Sequence, residues 1–81
     1  MSDETLKTQW ARDTAKLLTG RTISRVRYMT PTEQEACCWY RAAIVLELDN
    51  GELLWPSADD EGNDAGALFT SLEALPVIPV I

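Results

Sequence analysis

The sequence predicts an α+β fold in which an N-terminal helix packs on a small antiparallel β-sheet of three to five strands. Three observations carry this prediction. Residues 4–19 have apolar side chains at helical spacing, residues 40–56 have the pattern of a β-hairpin, and residues 75–81 are apolar and extended. The 81 residues suffice for one hydrophobic core, so we expect a single domain, residues 1–81.

The helix is expected over residues 4–19. Ser2 or Asp3 can accept the first free amide hydrogens, and Gly20 supplies the left-handed residue that commonly follows a helix end. The apolar stripe consists of Leu6, Trp10, Leu17 and Leu18, and Ala11 and Ala15 widen it. Because such stripes normally face a core, we expect Trp10 to be a core anchor.

A strand and a connection follow the helix. Residues 21–29 alternate, which places Val26 and Tyr28 on one face of a strand and Arg25 and Arg27 on the other. Residues 31–38 are polar and then small, so they are expected to be a connecting loop, although a proline at position 31 could open a short helical turn.

The hairpin is predicted from Asn50-Gly51, the pair that best tolerates a two-residue type I′ turn. That turn pairs Leu46 with Trp55 and sets two like charges, Asp49 and Glu52, opposite each other. The opposite face would carry Val45, Glu47 and Leu54, an apolar outer surface for a partner or a second copy. The expected core is Leu6, Trp10, Leu17, Val26, Tyr28, Ile44, Leu46, Leu48, Leu53, Trp55 and Phe69.

The apolar tail, residues 75–81, contains two prolines, which lack the N–H that a central strand needs. We therefore expect it to dock at a sheet edge.

Charge excludes one class of function. The net charge is −6, and all seven bases lie in residues 1–41, so residues 42–81 carry eight acids and no base. Binding to a nucleic-acid backbone requires lysine and arginine, so direct nucleic-acid binding is not expected. An acidic nucleic-acid mimic is one alternative that the charge allows, and a solvated acidic surface is the plainer interpretation.

An enzyme is not expected. The chain has no histidine, and its two cysteines, Cys37 and Cys38, are adjacent, so neither a nucleophile–histidine pair nor a zinc site of the usual kind can be assembled. No cofactor is expected. Cys37 and Cys38 are interpreted as core filler and a partly covered side chain.

The acidic loop, residues 57–66, is the one segment with the composition of a hard-cation site. It fails the EF-hand pattern, because Leu68 stands where the bidentate glutamate is needed. The candidate interaction loop comprises Asp59, Asp60, Glu61, Gly62, Asn63, Asp64 and Gly66.

A resemblance rests on this loop and on the hairpin before it. The runs LELDNGEL (46–53), PSADDEGN (56–63) and GALF (66–69) resemble a family of small uncharacterised bacterial proteins, in which an Asp/Asn-Gly hairpin precedes an Asp-x-Glu-Gly-Asn-x-x-Gly loop. The likeness covers roughly residues 20–75. It implies a small bacterial domain in which Gly62, Asn63 and Gly66 shape a turn, and it brings no established activity. The family often has glycine and proline after the asparagine, where this chain has Asp64 and Ala65.

These observations favour a non-catalytic interaction module of a bacterial cytoplasm that uses the acidic loop or the apolar hairpin face. Its partner would be another protein or a second copy. The alternative is a small-ligand or divalent-cation-binding accessory protein. No stretch approaches the ~20 apolar residues of a membrane span, and the acidic N-terminus lacks the layout of a signal peptide, so a cytoplasmic location is expected.

Overall fold

The structure, a computed structural model, describes residues 3–81. Its elements are α1 (Asp3–Leu18), β1 (Ile23–Tyr28), α2 (Pro31–Cys37), β2 (Ile44–Leu48), β3 (Leu53–Leu54), β4 (Leu68–Phe69) and β5 (Val77–Ile78). Strands β1, β2 and β3 form an antiparallel sheet in that order, and β4 pairs with β5. The α+β prediction is confirmed. Ser2 and the side chain of Asp3, which were predicted to cap the helix, lie outside the described part of the chain.

The core is built around the segment that leads into β2. Its buried cluster is Met29, Trp39, Ala42, Ala43 and Val45. Cys37 of α2 and Ala65 of the acidic loop pack against this cluster. The core therefore joins the sheet, α2 and the acidic loop, and none of the described side chains of α1 belongs to it.

Helix α1 forms close to its predicted bounds, but it is not buried. Every residue from 4 to 20 is exposed, and Trp10 keeps 62% of its surface accessible. The core positions predicted for Leu6, Trp10 and Leu17 are therefore wrong. The helix end is confirmed, because Gly20 has a φ of +81°.

The hairpin turn contains three residues, not the predicted two. The N–H of Leu48 donates to the carbonyl of Glu52 at 2.9 Å, and the N–H of Gly51 donates to the carbonyl of Leu48 at 3.0 Å. Gly51 has a φ of +86°, as in a type I turn followed by a left-handed bulge residue. Asp49 lies in the turn, 3.6 Å from Arg21, so the predicted like-charge pairing does not form.

This turn moves the register of β3 by one residue. Leu54 pairs with Leu46, and Leu53 pairs with Glu47. Because side chains alternate along a strand, the shift reverses the face of every side chain on β3. Leu53 and Trp55 leave the predicted core and are exposed, and Leu54 takes the face that they were expected to occupy.

The predicted outer hairpin face does not exist as one surface. Val45 is 2% exposed and belongs to the core, whereas Leu54 lies on the opposite face of the sheet. Ile44 and Leu48 are buried as predicted, Leu46 and Tyr28 are half-buried, and Val26 and Phe69 are exposed against expectation.

Residues 31–37 form a helix where a loop was predicted. Its start is a capping box: Glu33 donates its N–H to the Thr30 hydroxyl at 3.2 Å, and Thr30 donates its N–H to the Glu33 carboxylate at 2.9 Å. Pro31 occupies the first turn, where its missing N–H costs nothing. The helix ends at Cys38, which has a φ of +59°.

The C-terminal tail docks, as predicted. Ala42 and Ile81 exchange both backbone hydrogen bonds, and the Tyr28 hydroxyl donates to the carbonyl of Pro79 at 3.2 Å. These contacts hold the tail beside the sheet. Among residues 3–81, no helix has the length and apolarity to cross a membrane.

Candidate functional site

The acidic loop is an ordered structure closed at its base. The N–H of Ala58 donates to the carbonyl of Asp64 at 2.7 Å, and the N–H of Gly66 donates to the carbonyl of Pro56 at 3.2 Å. A side chain at position 66 would bring its Cβ to 2.7 Å from the Ser57 carbonyl oxygen. The two ends of the loop are therefore in direct contact, and only glycine fits at position 66 without displacing backbone.

Asp59 organises the interior of this loop. Its Oδ1 accepts the backbone N–H groups of Glu61 at 3.0 Å and Asn63 at 3.2 Å, and its Oδ2 accepts the Asn63 amide at 2.9 Å. The Asn63 side chain, followed by its backbone N–H, lowers the pKa of Asp59. Both the backbone N–H and the side-chain amide of Asn63 thus donate to carboxylates, those of Asp59 and Glu61.

A buried tryptophan fixes the loop to the core. The indole N–H of Trp39 donates to the carbonyl of Gly62 at 2.8 Å, and Trp39 is 7% exposed. Gly62 reaches this position with a φ of +74°. The loop is consequently held at its base and at its far end.

The structure brings the predicted loop residues together but gives them different roles. Asp59, Gly62 and Asn63 form the internal frame, and Asp64 and Gly66 are half-buried at the base. Asp60 and Glu61 are exposed. Within the described part of the chain, no group of three or more metal-ligating side chains could hold an ion. The loop therefore offers an acidic surface of fixed shape, and the Asp59 carboxylate inside it is already engaged in hydrogen bonds.

An ion-pair cluster on the core face ties α2 to the sheet. Arg27 of β1 donates to both carboxylate oxygens of Glu33, at 2.7 and 3.0 Å, and also to Glu47 of β2. Arg27, and then the N–H of Thr30, lowers the pKa of Glu33 to about 2. Every charge in this cluster has a partner, so the role of the cluster is to hold α2 on the sheet.

The largest unexplained feature is the apolar surface of α1. We define the α1 stripe as Leu6, Trp10, Leu17 and Leu18, all of which are exposed. The amino-acid pattern identified this stripe, but its solvent exposure was not predicted. Exposed apolar patches rimmed by polar residues are typical of interaction sites.

A second open surface lies on the sheet face opposite the core, on the same side as Leu54. We call it the open sheet face and define it by Ile23, Val26, Leu46 and Leu54, the accessible positions of a face on which Ile44 and Leu48 are already buried. Val26 is 56% exposed and Ile23 is also exposed. A cleft of about 210 Å³ lies at one end, between Leu54 and Leu68, and another of about 310 Å³ lies at the other end, between Leu54 and the last turn of α1.

The total exposed area is large for a chain of this mass. The chain exposes 6395 Å², whereas a compact monomer of 9.0 kDa exposes about 4,900 Å². Its radius of gyration is 14.4 Å, against about 12 Å for a compact domain of this length. The excess of about 1,500 Å² corresponds to the surface that one partner buries in a large interface.

Comparisons with known proteins add no relative. No family model matches the sequence, and no curated protein or solved structure matches it at a significant level. The site must therefore be interpreted from its own chemistry.

Proposed function

We propose that this chain is a non-catalytic protein-interaction module and that the α1 stripe is its contact surface. The observation that carries the proposal is the exposure of an amphipathic helix whose central residue, Trp10, projects into solvent. Tryptophan is among the residues most enriched at the energetic centres of protein interfaces.

The stability of α1 supports the same proposal. An isolated helix of about 15 residues is marginal in water, because most helical stability in proteins comes from packing an apolar face. Helix α1 has 16 residues and buries none of its described side chains. A partner that covers the α1 stripe would supply the missing packing.

The chemistry of the chain favours binding over catalysis. There is no histidine in the sequence, Asp59 is held by donors that lower its pKa, and Glu33 is paired with Arg27. Both cysteines are free, which is consistent with the reducing bacterial cytoplasm in which we place the module.

The acidic loop is a second candidate contact surface. Asp60 and Glu61 are exposed on a loop that Trp39 and Asp59 hold in one shape. A preorganised loop loses little conformational freedom on binding, so a basic protein surface is the partner that it fits.

Capture experiments test the contact surface. Immobilised wild-type chain should retain a protein that Trp10→Glu loses and Thr8→Glu keeps, because position 8 lies among the polar side chains on the opposite side of α1 and receives the same charge. Equal capture by all three chains, or capture by none, would contradict the proposal.

The acidic loop has its own pair of variants. Asp60→Asn with Glu61→Gln removes two exposed charges, and Glu52→Gln with Glu73→Gln removes two exposed charges elsewhere. Weaker binding with the first pair alone would assign the contact to the loop, and equal binding with both pairs would remove the loop from the proposal.

A further inference from the structure

We propose that the partner is a second copy of this chain, and that α1 of each copy covers the open sheet face of the other. This inference rests on the proposed function, since it names the occupant of the α1 stripe. It assigns both unexplained apolar surfaces to one reciprocal contact.

The two surfaces have complementary forms. The α1 stripe belongs to an amphipathic helix without a sheet to cover, and the open sheet face belongs to a sheet without a covering helix. A helix of 16 residues is about 24 Å long, and the six residues of β1 span about 20 Å. One helix can therefore lie along one sheet face.

The connection between α1 and β1 is only four residues long, and residues 4–18 of the helix are all exposed. The N–H of Asp49 donates to the carbonyl of Thr22 at 2.8 Å, and Arg21 lies 3.6 Å from the Asp49 carboxylate. These contacts anchor residues 21–22 to the hairpin, directly after the left-handed Gly20 that follows α1. Short connections of this kind favour exchange of an element between two copies.

The area agrees with a homodimer. Obligate homodimers bury about 1,000–2,500 Å² on each partner. The excess of about 1,500 Å² that this chain exposes lies within that range. A two-fold contact buries both surfaces on both copies at once.

Charge directs association to α1. The helix carries three bases and three acids, so it has no net formal charge, and residues 19–81 carry the whole −6. Contact between the acidic bodies of two copies would be repulsive, whereas contact between a neutral helix and a sheet face avoids that penalty.

The test begins with the mass of the full chain in solution, measured by light scattering and analytical ultracentrifugation across a dilution series. We expect twice the 9.0 kDa of one chain. Trp10→Glu and Val26→Glu should each weaken dimerisation by about 30-fold or more, the scale of an interface hot spot. Thr8→Glu, on the polar side of the helix, should leave the dimer intact.

Mixing the two variants distinguishes the exchange of helices between copies from misfolding of the variants. In the mixture, the intact helix of Val26→Glu can cover the intact sheet face of Trp10→Glu, so one of the two contacts is restored. We expect the mixture to associate more tightly than either variant alone, which unfolded variants would not do.

Three outcomes would overturn the inference. A Val26→Glu dimer as tight as wild type would mean that the helices pair with each other. A compact monomer at every concentration would mean that α1 folds back on its own sheet. If the chain is an elongated monomer and Trp10→Glu abolishes its capture of another protein, the proposed function stands and a second copy is excluded as the partner.

Discussion

The indole N–H of Trp39 donates to the carbonyl of Gly62, across 23 residues of sequence, at 2.8 Å. This bond joins the buried core to the tip of the acidic loop. The shape of the loop therefore depends on a residue that lies well outside it.

Removing this tether should loosen the loop without unfolding the chain. Trp39→Phe keeps an aromatic ring in the core but removes the N–H and part of the buried ring, so we expect a loss of about 2–3 kcal/mol in the free energy of unfolding. Amide hydrogen exchange in residues 59–64 should become faster. Trp55→Phe, at an exposed tryptophan, is the control, and equal effects of the two variants would show that the bond is unimportant.

The base of the loop should reject any side chain at position 66. Gly66→Ala places a methyl group against the Ser57 backbone, which must move, so we expect destabilisation of about 1–3 kcal/mol in urea unfolding. At Gly62 an added Cβ meets no atom within 4 Å, and the cost there comes only from its positive φ. A Gly66→Ala variant as stable as wild type would contradict the close approach.

Val45 of β2 was expected on the outer hairpin face but is buried, and this burial predicts a large contribution to stability. Because Val45 is buried in the core, Val45→Ala should reduce the free energy of unfolding by about 2 kcal/mol. Val77→Ala, at an exposed strand position, should change it by about 0.5 kcal/mol or less. Urea denaturation measures both. Similar losses at the two positions would contradict the burial of Val45.

Stability should fall in acid because of Glu33. Its pKa is lowered from an ordinary 4.5 to about 2 in the folded chain, so the unfolded chain binds the proton first as the pH falls. The stabilisation is complete above pH 4.5 and is lost between pH 4.5 and about 2. Thermal melting of Glu33→Gln should show a shallower pH dependence in this window, whereas Glu35→Gln, exposed on the same helix, should retain the wild-type slope.

The elements were largely predictable from local sequence, but their burial was not. The periodicity of α1 identified the correct stripe, since helical spacing reports which side chains share a face. It does not report which surface covers that face, and Trp10 was therefore assigned to the core of its own chain.

Two local signals were misinterpreted. Asn50-Gly51 correctly marked a turn, but the same pair also fits a three-residue turn with Gly51 as the bulge, and that one-residue difference decides the face of Leu54. Thr30 and Glu33 have the spacing of a capping box, and this signal would have predicted α2 in place of the expected loop. The order of the acidic loop could not be predicted locally, because Trp39 provides its tether from a distance.

The separation of charge from the α1 stripe has a consequence for behaviour in salt. Dissolved ions screen charges over about 8 Å at physiological ionic strength, and they leave apolar contacts largely intact. Copies that meet through a neutral helix should therefore associate more readily as salt is added. In dilute buffer, the mutual repulsion of the acidic bodies should limit growth into larger aggregates and preserve colloidal stability.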